Sequence, residues 1–404
     1  MSAASPSGLR GDMDFTLPDT ALAVRDGVRS VAAKYDHAYW SRCEEEHRFP
    51  TEAWHDLADG GWIGLSVPEE YGGGGQGLLE LAVACETLAA SGGTAGTFLY
   101  ILTPGFGAMT LARHGTPEQK AAILPGVADG SVQFALGLTE PDAGSNALAI
   151  STSARRDGDD FLIDGQKVWI SGLENADWMI AVTRTIPAAE AKPRTAGFTL
   201  FLIDVKEAVA KGQLSYTPIP KMGGNVVTSS QVFFDDLRVP ADRVLGAVDQ
   251  GFPVLWDVLN PERILAAAGG VGGAEAALDL ACDYARERIV FGRPIGANQA
   301  VQFPLAQIKA KTELARLMTY KAAWLFDQGL PCGNETNIAK LTGAQVAWEA
   351  ANQAFQTYGG MAYSKEHPVE RLFRDARIGK NIPVAEELIL AHLGTQVLGL
   401  PRSY

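Results

Sequence analysis

A carboxylate and a guanidinium stand side by side at Glu262-Arg263, directly after Asn260-Pro261, in this chain of 404 residues. Taken alone, that order reads as a helix start. Asn caps, Pro takes the first helical position, and Glu meets the positive end of the helix dipole. The other groups able to do chemistry gather in short segments. Leu138, Thr139 and Ser145 fall in Leu138-Thr-Glu-Pro-Asp-Ala-Gly-Ser-Asn146. Trp169, Ile170 and Ser171 close Asp164-Gly-Gln-Lys-Val-Trp-Ile-Ser171. Arg288 and Phe291 lie in Arg286-Glu-Arg-Ile-Val-Phe-Gly292, with Gln299 soon after, and Gln356 and Gly360 bound Gln356-Thr-Tyr-Gly-Gly360. A placed carboxylate can move a proton, and hydroxyl or N–H donors stabilise negative charge as it develops on an acceptor.

Several other chemistries find no support. Cys43, Cys85, Cys282 and Cys332 lie far apart, without zinc or redox spacing, and read as reduced buried thiols. The six histidines are scattered, so no metal site is expected. Gly72–Gly77 and Gly269–Gly273 look like dinucleotide loops, but neither sits in a strand-turn-helix unit. There is no Walker sequence and no Gly-x-Ser-x-Gly turn. A net charge of -13 disfavours a basic face for nucleic acid. Apolar runs break well before ~18 residues, so no membrane span is expected. Met1–Asp12 is small and polar and lacks the pattern of a signal peptide. It reads as a disordered lead-in to a cytoplasmic protein.

Three blocks must position these segments. From Leu17 to Gly130 apolar residues recur at helical spacing: Leu22, Val24, Val28 and Val31 on one face, Leu78, Leu81, Ala82, Cys85 and Leu88 on another. Thr116-Pro117 reads as a cap with Pro at the first helical position. From Ser131 to Gly246 the pattern turns to strands. Phe161–Ile170 reads as two short strands around an Asp164-Gly165 hairpin turn. Strands are also expected over 178–182, 198–203 and 231–234, with a surface loop over 186–195. From Phe252 onward the period is helical again and suggests a bundle. The expected fold is α+β and multidomain: an N-terminal helical domain (13–130), a middle β-barrel or sandwich (131–246) and a C-terminal four-helix bundle (247–404).

The quoted segments, in this order, together with Pro68-Glu-Glu-Tyr-Gly-Gly-Gly-Gly75 and Arg374-Asp-Ala-Arg-Ile378, resemble the acyl-CoA dehydrogenase family over about residues 20 to 400. The resemblance implies FAD as cofactor. It implies that Leu138, Thr139, Trp169, Ile170 and Ser171 contact the flavin. It also implies that Arg288, Phe291 and Gln299 serve the diphosphate of a flavin held mainly by a neighbouring subunit, and that Gln356 and Gly360 belong to a second flavin segment. At least a dimer follows, and the family's dimer of dimers is the expected assembly. An acyl-CoA thioester as substrate and an electron-transfer flavoprotein as acceptor are implied likewise. Larger relatives carry a second C-terminal half, and the end at Tyr404 resembles the short form.

In many members the catalytic Glu follows the Arg-Asp-Ala run by a fixed interval. Here that interval lands on Pro383, which cannot act as a base and offers no N–H to a thioester carbonyl. Members of the isovaleryl and long-chain type place the Glu before an Arg on the helix that opens the C-terminal bundle. Glu262 matches that position, so the resemblance implies Glu262 as the base, with Glu386 and Glu387 as the remaining candidates. Val384 is then expected to donate in place of residue 383. Ser145, Asn260 and Arg263 fall where the family meets CoA. Ala385 and Asn146 replace the usual Thr and Asp. Leu99, Tyr100, Leu102, Trp256 and Leu259 are candidate acyl-cavity residues, though each reads first as ordinary core. Two alternatives stay open: a related oxidase, hydroxylase or carrier-protein-dependent enzyme, and a non-catalytic subunit.

Overall fold

The computed structural model describes residues 16–402. The expected lead-in, Met1–Asp12, lies outside them. Helices α1 (Asp19–Ala32), α2 (His37–Glu45), α3 (Thr51–Asp59) and α4 (Leu78–Ala90) open the chain. α1 buries Ala21, Val24, Val28 and Ala32, one stripe at helical spacing, against α4, which is buried on nearly every side. α5 (Phe98–Tyr100) and α6 (Met109–His114) are joined by a wider-wound π turn over Ile101–Ala108 that holds Pro104. α7 (Pro117–Ala128) begins as expected, with Pro117 at its first position. The Thr116 hydroxyl accepts from the Gln119 N–H, and Gln119 answers on the Thr116 N–H.

The middle block is one mixed sheet of β1 (Phe134–Gly137), β2 (Ser153–Asp157), β3 (Asp160–Ser171), β4 (Trp178–Arg184), β5 (Phe198–Asp204), β6 (Leu214–Pro218), β7 (Ser229–Pro240) and β8 (Val244–Leu245). The short helix α8 (Val205–Ala210) follows β5. The pairing path runs β6-β7-β3-β2-β4-β5-β8, with β1 added on β4, and does not close into a ring. Asp164-Gly165 is not the hairpin turn the sequence suggested. β3 runs straight through it and bulges there, shifting register between Ile163 and Gly165. A Cβ on Gly165 would come within 2.8 Å of the Thr152 backbone, and φ is +140°, so glycine permits a close approach here. The turn lies earlier, at Gly158 (φ +65°), between β2 and β3.

The last block holds α9 (Gly251–Glu287), a small hairpin of β9 (Ile289–Val290) and β10 (Arg293–Pro294), then α10 (Gln299–Asp327), α11 (Gly333–Tyr358), α12 (Val369–Ile378) and α13 (Glu386–His392). A second expectation fails here. Asn260 does not cap a helix and Pro261 does not start one, because α9 begins nine residues earlier, at Gly251, and carries Pro261 inside. Packing against α4, α10 and α11 outweighs the missing N–H. Two stretches, Ala95–His114 and Gly251–Glu287, are long and apolar enough to cross a membrane by length and composition, contrary to the sequence reading. Their most apolar windows are 89% and 61% buried inside the protein, which is the pattern of core helices.

The Arg374-Asp-Ala-Arg run on α12 ties the three blocks together. Arg374 donates to Glu44 of α2 at 2.7 Å and to the Met222 carbonyl at 2.8 Å. Asp375 accepts from the Thr94 hydroxyl at 2.6 Å and the Gly224 N–H at 3.1 Å. Arg371 completes the knot on Asp375 at 3.3 Å. The loop that follows α12, carrying Pro383, is thereby fixed to all three.

Candidate active site

Glu262 lies mid-way along the first half of α9 and faces a cavity of about 130 Å³. Pro383 lines the same cavity, so the vacated loop position and the helix carboxylate converge on one space. Glu262 forms no ion pair or hydrogen bond among the described residues. Burial in apolar walls pushes its carboxyl up to about 8, against the pull of Arg263 and Lys340. It is half-buried by area because its open side is the cavity itself. A solvated first-turn glutamate is excluded.

Its two cationic neighbours are engaged elsewhere. Arg263 is buried, lies 5.7 Å from the Trp256 ring and donates to Asn260 Oδ1 at 3.4 Å, leaving its Nε without a partner. Lys340 is 1% exposed and donates to the carbonyl of Val384. Burial holds its ammonium down, to about 8, while Glu386, Glu262 and Glu387 favour its charge. The sequence reading passed over Lys340. A lysine on the apolar stripe of a helix, four residues before Ala344, was the available signal.

Glu386 is tied to Gln345 and to Lys380, at 3.2 Å from the latter, and Glu387 is exposed; neither lines the cavity. The five candidate acyl-cavity residues do not line it either. Leu99, Tyr100 and Leu102 turn into the N-terminal core, while Phe98 and Ile101, on the other face of the same turn, reach the cavity. Trp256 is half exposed beside Arg263 and Val384, and Leu259 packs on the sheet's core.

Two sequence segments meet through a contact the sequence did not announce. Lys167 of β3 is fully buried and pairs with Glu140 at 2.7 Å, also donating to the Leu138 carbonyl at 3.1 Å. Glu140 further accepts from Ser151 and Thr152 N–H groups at 2.7 and 2.9 Å. Burial opposes its charge, but Lys167 and these donors hold its carboxyl down, at about 2. This pair fixes Leu138 and Thr139 against β3. Just beyond it, β3 shifts register between Lys167 and Ile170, and Trp169 takes φ +64°. The bulge turns the Trp169 ring outward, 56% exposed, while Ile170 stays in the core. Ser171 Oγ lies 3.1 Å from Ser229 Oγ. Ser145 is exposed on the loop after Glu140.

Arg288, Phe291 and Gln299 are exposed around the β9–β10 hairpin, and Gln356 and Gly360 are exposed at the end of α11. Tyr284 stacks on Tyr358 at 4.1 Å, so both groups share one end of the bundle. Arg288 follows Glu262 by 26 positions along α9, about 39 Å at 1.5 Å per residue. Within one chain Arg288 therefore stands far from Glu262.

Sequence patterns of the acyl-CoA dehydrogenase N-terminal, middle and C-terminal domains match residues 18–131, 135–237 and 249–382. The chain belongs to the acyl-CoA dehydrogenase family. An acyl-CoA dehydrogenase of Mycobacterium tuberculosis (strain ATCC 25618 / H37Rv) is 41% identical over 395 residues, covering 97% of this chain and 100% of the relative. A glutaryl-CoA dehydrogenase solved with glutaryl-CoA superposes with a TM-score of 0.91 at 31% identity, covering 97% of this chain and 98% of that one. Butyryl-CoA dehydrogenase from Megasphaera elsdenii gives 0.89 at 30%, covering 96% and 100%. The protein is thus an oxidoreductase, and its cofactor is FAD. The residues present fit that group: an outward Trp169 on a bulged strand offers a ring face, and the Thr139 hydroxyl beside it has no partner among the described residues.

Proposed function

We propose that the protein removes two hydrogens from adjacent carbons of an acyl-CoA thioester, with Glu262 as the base. The observation that carries this is the placement of the Glu262 carboxylate, unpaired, on the cavity that Pro383 also lines. Glu262 takes the proton from the carbon next to the thioester carbonyl; FAD, when bound, accepts the hydride from the next carbon. Thr139, Trp169 and Ser171 hold the flavin side, and Ser145, Asn260 and Arg263 the CoA side. Pro383 offers the carbonyl no N–H, but the next residue does: the Val384 N–H has no partner among the described residues, while its carbonyl is anchored by Lys340. A fixed, free donor of this kind suits an oxygen that gains charge in the transition state.

The distance between Glu262 and Arg288 supports a homo-oligomer. A flavin at Trp169 receives Arg288, Gln299 and Gln356 from a second copy, as in a dimer of dimers. Electrons then pass to an electron-transfer flavoprotein in the cytoplasm.

Anaerobic mixing with acyl-CoA tests the base. The wild-type flavin should bleach, and Glu262→Gln should slow bleaching by roughly 10²- to 10⁴-fold, the usual range for a positioned base. Bleaching of that variant at the wild-type rate would refute the assignment. Hydrogen peroxide released at the full rate of turnover would instead mark an oxidase.

A further inference from the structure

Lys221 does not line the cavity at Glu262. It lies in the loop 219–228, between β6 and β7. α2 and α12 hold that loop from outside. Glu44 accepts from the Asn225 side-chain N–H at 2.8 Å, and Asp375 accepts from the Gly224 N–H at 3.1 Å. Within the loop, the Lys221 ammonium donates to the carbonyls of Gly224 and Val227, at 2.8 and 2.7 Å. It also donates, at 3.2 Å, to the hydroxyl of Ser229, the first residue of β7. An ammonium carries three N–H groups and no acceptor, so these contacts use it completely. Burial works against its charge, while Glu44 and Asp375 favour it. Both carboxylates are held by arginines, Glu44 by Arg374 at 2.7 Å and Asp375 by Arg371 at 3.3 Å.

The consequence lies one strand away. Ser171 of β3 pairs with Ser229 of β7, and their hydroxyls lie 3.1 Å apart. Two hydroxyls alone share such a bond in either direction. Lys221 removes the choice. Ser229 Oγ accepts from the ammonium, and Ser229 is 5% exposed with no third side-chain partner among the described residues. Were Ser171 the donor, the Ser229 hydrogen would be buried without an acceptor, at a cost of about 1–3 kcal/mol. Ser229 therefore donates and Ser171 accepts. The hydrogen of Ser171 then points away from β7. Ser171 has no other side-chain partner among the described residues and is partly exposed, two positions from the outward ring of Trp169. A hydroxyl fixed as a donor, with a cation behind it, favours negative charge in front of it.

Resting on the reading above that places Ser171 at the flavin, we propose that Lys221 is a positioning residue of the redox site. Through Ser229 it fixes the Ser171 hydroxyl as a hydrogen-bond donor toward bound FAD, and so favours the reduced cofactor, which holds the charge that arrives with hydride. A lysine that merely stapled its own loop would need only the two carbonyl contacts.

The test is a spectroscopic redox titration of the FAD-loaded protein, with flavin content as the check on folding. Ser229→Ala cuts the chain and leaves both carbonyl contacts of Lys221 in place. It should shift the equilibrium toward oxidised FAD by about tenfold, ~30 mV for a two-electron couple. Lys221→Met should shift it in the same direction by at least as much. In a Ser171→Ala background each change should add only a small part of its shift, because the chain has lost its end. A potential that Ser171→Ala moves and Ser229→Ala does not overturns the relay and leaves Lys221 a loop staple. A Lys221→Met shift undiminished in the Ser171→Ala background overturns it too, since the charge then acts directly through space. A potential and a flavin spectrum both unmoved by Ser171→Ala overturn the placement of Ser171 at the flavin, and the relay with it.

Discussion

Glu140 and Glu262 are both carboxylates withdrawn from water, and each has a buried lysine nearby, yet they end at opposite extremes. Glu140 touches its lysine, Lys167, at 2.7 Å and takes backbone N–H bonds from Ser151 and Thr152, and its carboxyl is held at about 2. Glu262 touches neither of its cations. Arg263 is spent on Asn260 and Lys340 on the Val384 carbonyl, so burial wins and the carboxyl rises to about 8. Contact, rather than mere nearness of opposite charge, decides which carboxylate stays ionised. The first arrangement builds a joint between two strands. The second leaves an unpaired carboxyl that holds its proton near neutral pH, as the proposed base requires after taking a proton.

The contrast can be broken from either side. The largest effect should come from Lys167→Met, which strands the Glu140 charge. A loss of about 3–5 kcal/mol is expected, read as a lower denaturation midpoint and loss of bound flavin; an unchanged midpoint would show the pair to be dispensable. Next in size are the two pH dependences, which have opposite signs. Glu140 is depressed, so its contribution is present above the ordinary carboxylate range and disappears as pH falls toward about 2. Glu262 is raised, so the fold prefers it protonated. Its ionisation costs nothing at pH ~4 and up to a few kcal/mol once pH passes about 8. Glu262→Gln should therefore be more stable than wild type, by a margin that opens between about pH 5 and pH 8. Thermal midpoints of both proteins across that range check this, and a margin that narrows with rising pH contradicts it. The smallest effect should be that of Lys340→Met. Removing a cation that favours the Glu262 carboxylate should move the rising limb of the bleaching-rate profile to higher pH, by half a unit or so. A limb moved to lower pH would mean that Lys340 acts on the substrate rather than on Glu262.

Much of the fold was legible in the residues. The helical, strand and helical periods follow one another in the order found, and Thr116-Pro117 caps α7 as read. The family resemblance, with proline at 383 in place of the loop glutamate, singled out Glu262 as the proposed base. Two local signals misled, for one reason. Asn260-Pro261 carries every mark of a helix start and Asp164-Gly165 every mark of a turn, but both lie inside longer elements that tertiary packing completes. Three of the five acyl-cavity candidates, Leu99, Tyr100 and Leu102, missed by one position on the helical turn, because periodicity shows that a face is covered without showing what covers it.

The sequence by itself determined the order of helical, strand and helical blocks and, through its family resemblance, singled out the carboxylate at position 262. Only the tertiary structure decided that this carboxylate stands unpaired, that Lys340 anchors the loop beside it, and that small residues of α9, α11 and α12 line one cavity with it. Those outcomes depend on which side chains meet across elements far apart in the chain. Spacing along one element fixes which residues share a face, but desolvation and pairing are set by what that face meets.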